Sequence, residues 1–259
     1  MKLLRKDTLF TKPSRRHDCL KAIVGMLAIG ILPVSMAATF NRPALHGAYL
    51  GLGLGYSVNT AAGKNNILNT NQGVSFIQSN STGAYATVPR IDVGYIWSFS
   101  PHWSWSLGGR LDHANFSQSG AAFSRFTSSL LPNGNYQYDI EATDLDVVAR
   151  LIASTHRWQY YGEVMTGAAL LNSNNYMVNA PGQAARIISA STTNLNYGVG
   201  LGILVRVAHH TSVGVSVDYV DLGTTKLKAY STLSSVDLSG NITQRLQTVT
   251  TTLNIVQWF

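Results

Sequence analysis

Leu195–Val207 reads LNYGVGLGILVRV, with Gly198, Gly200 and Gly202 alternating with larger side chains. This strict alternation constrains the chain more than any other feature. A helix would scatter the two sets around its circumference, whereas an extended strand sorts them onto opposite faces. Leu195, Tyr197, Val199, Leu201, Ile203, Val205 and Val207 share one face; Asn196, Gly198, Gly200, Gly202, Leu204 and Arg206 share the other. The segment is therefore a predicted strand with one apolar face.

The same period of two recurs in Gly47–Ser57, Pro89–Phe99, Trp103–His113, Leu145–Leu151, Trp158–Leu170, Ser212–Val220 and Arg245–Phe259. The connections alternate long and short: Val58–Ala84, Ser100–His102, Ser117–Asn135, Ser154–Arg157, Asn172–Ser191, Ala208–Thr211 and Lys226–Gln244. Past the N-terminus, no run reaches the roughly 18 apolar residues of a helical membrane span. Eight strands joined in this way predict an all-β fold, an eight-stranded antiparallel up-and-down transmembrane barrel with short periplasmic turns and long extracellular loops.

Charge decides which face turns inward. Only 12% of residues are charged while 45% are hydrophobic, too little charge for an ordinary soluble surface. The polar strand faces carry Arg90, Asp92, Arg110, Asp112, Asp144, Asp146, Arg150, Glu163, Arg206 and Asp218. These residues are expected to line the lumen as a structural charge network, with small neighbours leaving room for the guanidinium groups. The aliphatic faces then meet lipid. Trp97, Phe99, Trp103, Trp105, Trp158, Tyr160 and Trp258 lie near the short turns or the C-terminus and predict an aromatic girdle on the periplasmic side.

The net charge of +7 is not a nucleic-acid signal. Lys2, Arg5, Lys6, Lys12, Arg15, Arg16 and Lys21 stand against only Asp7 and Asp18, so the basicity is concentrated at the N-terminus. The apolar run Ala22–Leu32 follows, then Pro33 and the small-residue site Ser35-Met36-Ala37. Residues 1–37 are expected to be a cleaved signal peptide and 38–259 the barrel domain. The single cysteine, Cys19, precedes the apolar run, which leaves the mature chain without a thiol or disulfide.

Gly47–Ser57, the DYVDLGT stretch Asp218–Thr224 and the terminal NIVQWF together resemble the small eight-stranded outer-membrane barrels of Gram-negative bacteria, the opacity-protein-like and OmpA-membrane-domain group. The resemblance implies long loops outside the cell and both termini in the periplasm. It also implies that Phe259 is read by the barrel-assembly machinery. No further domain is expected after the last strand.

Motifs for other chemistry fail on spacing. GLGLG (Gly51–Gly55) and GVGLG (Gly198–Gly202) have neither the GxGxxG spacing nor the following helix of a phosphate-binding loop. His46, His102, His156, His209 and His210 fall at the chain start or in short turns, and His113 shares parity with outward Leu111. No Ser/His/acid set converges, and no catalytic, metal or cofactor site is expected. The reading is a monomeric, non-enzymatic barrel in the bacterial outer membrane. It meets lipid and lipopolysaccharide along its wall and displays loops for adhesion or a host-surface ligand. The alternative is a narrow conduit for small hydrophobic molecules.

Overall fold

The structure, a computed structural model, describes residues 46–60, 67–70, 75–78, 84–126, 129–180, 183–187, 190–231, 238–239 and 241–259. The expected signal peptide and its cleavage site lie outside these residues. The strands are β1 (Gly47–Asn59), β2 (Ile67–Thr70), β3 (Ser75–Gln78), β4 (Tyr85–Ser98), β5 (Trp103–Phe126) and β6 (Ser129–Ser154), followed by β7 (Trp158–Ala180), β8 (Gln183–Ile187), β9 (Ala190–Ala208), β10 (Thr211–Ser231), β11 (Leu238–Ser239) and β12 (Asn241–Trp258).

Eight long strands close a ring in the order β1, β4, β5, β6, β7, β9, β10, β12 and back to β1, each antiparallel to both neighbours. Closure satisfies the wall's backbone groups internally, as a lipid environment demands. At one end the turns are tight. The Phe99 and Ser100 N–H groups donate to the Trp103 carbonyl at 3.2 Å, and the Thr155 N–H donates to the Trp158 carbonyl at 2.8 Å. At the other end the strands run further than alternation alone predicts. β5 has 24 residues, where a tilted strand needs roughly 9–11 to cross the apolar layer. β2, β3, β8 and β11 extend this end, with β3 pairing β5 and β8 bridging β7 to β10.

The alternation sorts side chains as the parity requires. Leu52, Leu54, Leu145, Val164, Leu201 and Leu253 are exposed on the outer wall, while Asn196, Gly200, Ser216 and Thr252 face inward and are buried. Around the outer wall at the short-turn end, Trp97 stacks on Trp105 with ring centroids 4.3 Å apart, and Phe99, Trp103 and Trp158 are exposed beside them. A second outward ring marks the opposite boundary of this band. Tyr56 stacks on Tyr85 at 5.6 Å, and Tyr197 and Tyr219 are exposed at a similar level. Two aromatic rings flanking an aliphatic band are the signature of a wall that faces lipid.

Trp258 departs from the predicted girdle. It is buried, its ring lies 5.6 Å from that of Tyr49, and its Nε1–H donates to Ser212 Oγ at 3.0 Å. Its parity with Asn254 and Val256 turns it into the lumen, whereas Ile255 and Phe259 point outward.

The lumen is filled in layers. Tyr49, Ile96, Ile152, Tyr161, Leu204, Val256 and Trp258 form an apolar layer at the short-turn end. Val88, Ala114, Phe116, Ile140, Leu171, Leu222 and Leu246 belong to a second apolar cluster at the long-strand end. Charged side chains occupy the level between them. Gly223 adopts φ +84° at a register shift between Asp221 and Gly223, a bulge beside which Leu222 is buried in the lumen while Asp221 lies on the outer face, covered by Tyr197, Arg245 and Gln247.

Candidate functional site: a charged belt across the lumen

The strand register builds the belt. Along β4 and β5, Asp92 pairs with Arg110 and Arg90 pairs with Asp112; along β6 and β7, Arg150 pairs with Glu163. Opposite charges are thus set side by side before any side chain reaches across the lumen.

Arg90 grips Asp112 with two parallel bonds, Nε to Oδ1 and Nη2 to Oδ2, both 2.8 Å. Its Nη1 crosses the lumen to Asp218 Oδ2 at 2.6 Å. Arg110 Nη2 donates to Glu163 at 2.8 Å and approaches Asp92 at 3.5 Å. Arg150 donates from Nε to Glu163 Oε2 at 2.6 Å, from Nη2 to Asp92, and from Nη1 to the Tyr49 hydroxyl at 3.0 Å. Its guanidinium also sits over the rings of Tyr49 and Tyr161, 5.5 and 5.3 Å from their centroids. Bidentate and charge-assisted geometry of this kind offsets the desolvation of buried ions.

Glycine makes the crossings possible. A Cβ on Gly200 would collide with Asp218 and lie 2.9 Å from Glu163 Cγ; one on Gly53 would lie 2.7 Å from Asn254 Oδ1. Of the glycines in the opening motif, Gly200 lies beneath the charged side chains, Gly202 beneath the Tyr161 ring and Gly198 against Met165 and Val220.

Asp144 and Asp146 stand apart from these pairs. Both accept from the Nδ2 of Asn196, Asp146 at 2.7 Å, and neither makes an ion pair among the described residues. Arg206, the remaining expected lumen cation, is half-buried opposite Ser212 at the short-turn end and is not brought into the belt. Tyr49, Tyr161, Asn196 and Asn254 belong to the belt or its border, although charge alone did not single them out. Their inward parity was the available signal.

The histidines stay off the belt. His113 is exposed on the outer face, with Nδ1 3.1 Å from Thr143 Oγ1 and Nε2 3.7 Å from Glu141. His209 and His210 lie in a turn with ring centroids 4.9 Å apart. Among the described residues no group of three His, Cys, Asp or Glu forms a metal cage. Chemically the three guanidinium groups engage four of the belt's six carboxylates in crossing ion pairs. A cavity of about 20 Å³ remains below it between Tyr49, Arg150 and Trp258, which is room for a water molecule or two.

No protein-family model and no curated protein matches the chain. Among solved structures it is similar to the outer membrane protease OmpT from Escherichia coli, at 11% identity and a TM-score of 0.51, covering 86% of this chain and 99% of that one. It is also similar to the outer membrane protein OprG from Pseudomonas aeruginosa, at 12% identity and a TM-score of 0.50, covering 83% and 97%. The likeness is one of fold: this chain has the closed antiparallel architecture of outer-membrane β-barrels.

Proposed function

We propose that the chain is a non-enzymatic outer-membrane barrel that supports the envelope and presents its long-strand end for contact at the cell surface. The observation that carries this reading is the filled lumen, a belt of crossing ion pairs between two apolar layers. A conduit needs a continuous path, and among the described residues the two apolar layers and the belt between them fill the lumen with side chains. The wall continues beyond the outer tyrosine ring in β5, β6 and β7, which supplies a rigid platform for the connections above it. In this reading the N-terminal segment directs export and is removed, and Phe259 serves assembly of the barrel into a membrane of lipid and lipopolysaccharide.

Two measurements test it. Planar bilayers containing the purified barrel should show no discrete conductance steps, and replacing the connections at the long-strand end one at a time by short Gly/Ser turns should abolish surface binding in at least one case. Steady conductance steps that disappear in an Arg110 or Arg150 variant would instead support transport. Unchanged adhesion in every folded loop variant would remove the display role.

A further inference from the structure

The belt is unbalanced. Arg90, Arg110 and Arg150 face six carboxyl groups, those of Asp92, Asp112, Asp144, Asp146, Glu163 and Asp218. The three cations bond four of the six, which leaves Asp144 and Asp146. These two residues are 5% and 2% exposed, so solvent does not screen them. As residues i and i+2 of β6 they share the inward face, and both accept from the single nitrogen Asn196 Nδ2, which holds their oxygens within a few ångströms of each other.

The surroundings supply no spare cation. On β5, Asp112 is paired across from Asp144 and adds a further negative charge; Arg110 is paired across from Asp146, but its guanidinium is bonded to Glu163 and approaches Asp92. On β7 the facing residues are Ala169 and Gly167, and on β9 they are Asn196 and Asn194, all uncharged. Asp146 Oδ2 is buried with no donor among the described residues. Two buried like charges sharing one neutral donor is an arrangement that a proton between them relieves.

We propose that Asp144 and Asp146 hold one proton between them in the folded barrel at neutral pH, making the belt a built-in acid-favouring lock. The inference is independent of what the long-strand end contacts. The folded chain then binds one more proton than the unfolded chain, so stability falls as pH rises above the ordinary Asp value of about 4, until the pair loses its proton.

Infrared difference spectroscopy of the folded full chain in lipid tests this directly. A protonated-carboxyl C=O stretch is expected at neutral pH, lost or displaced in Asp144→Asn and in Asp146→Asn. Absence of that band from the unmodified protein, or its persistence unchanged in both variants, would overturn the proposal. The unmodified protein alone decides the first outcome, so a variant that fails to fold does not remove the test. In urea titrations from about pH 5 to about pH 7, the unfolding constant of the unmodified chain should rise about tenfold per pH unit relative to folded Asp144→Asn. Parallel pH profiles, or a profile set by sodium concentration in place of pH, would contradict it.

Discussion

Arg90 joins three strands through one guanidinium, holding its neighbour Asp112 and reaching Asp218 on the far side of the lumen. Arg90→Met removes the cation and leaves Asp218 buried and Asp112 half-buried without it. The expected loss of unfolding free energy is about 3–5 kcal/mol, the range for breaking a buried pair from one side. Urea unfolding of the barrel in detergent measures it, and a loss near zero would mean that solvent reaches this level. Gly200→Val drives a side chain into Asp218 and Glu163, with an expected loss of about 1–3 kcal/mol in the same assay. Both residues were legible as lumen-facing from period-two parity. Trp258 was equally legible by parity with Asn254, but its place beside the C-terminus suggested the girdle instead. The long reach of Arg90 to Asp218 was not legible, because cross-lumen distances depend on strand tilt and stagger, and alternation carries no information about either.

At the scale of the strand, outward position is priced by depth. Leu201 lies mid-band on β9, where Leu201→Arg should lower stability by about 2–4 kcal/mol; Ser117, outward on β5 beyond His113, should accept Arg for about 0–1 kcal/mol. Equal losses at the two sites would mean that the apolar band does not end where the tyrosines mark it. Beyond that ring, the bulge on β10 sets up an acid-sensitive contact. Burial pushes the Asp221 carboxyl up, but hydrogen bonds from Arg245 and Gln247, and from the Gly223 N–H at 3.0 Å, outweigh it and hold the group below its ordinary value. Its stabilisation is present above the unfolded Asp value of about 3.9 and is lost as pH falls through the lowered one. Asp221→Asn should therefore flatten the acid limb of the stability profile below about pH 4. An unchanged limb would show that the contact contributes nothing. Strand length itself was only half legible. Ser117–Asn135 has few alternating apolar residues, because a wall clear of lipid has no need of them, yet β5 and β6 run through most of it.

At the scale of the molecule, the sequence pattern led to an eight-stranded closed wall, and the register shows why the wall holds. Each long strand is bonded on both sides, and cross-strand charge pairs converge at one level of the lumen. The apolar layers above and below the belt were hidden in the sequence. Inward residues such as Val148, Leu171, Leu204 and Val220 interrupt the polar face singly on different strands, and only the stagger of the strands gathers them. Which face of each strand meets lipid decides the architecture. In lipid nanodiscs, nuclear Overhauser contacts from acyl-chain protons should reach the methyl groups of Leu145, Leu201 and Val215, and should be absent at Val148, Leu204 and Val220. The reverse pattern, with lipid contacts at Val148 and Leu204 and none at Leu201, would contradict it.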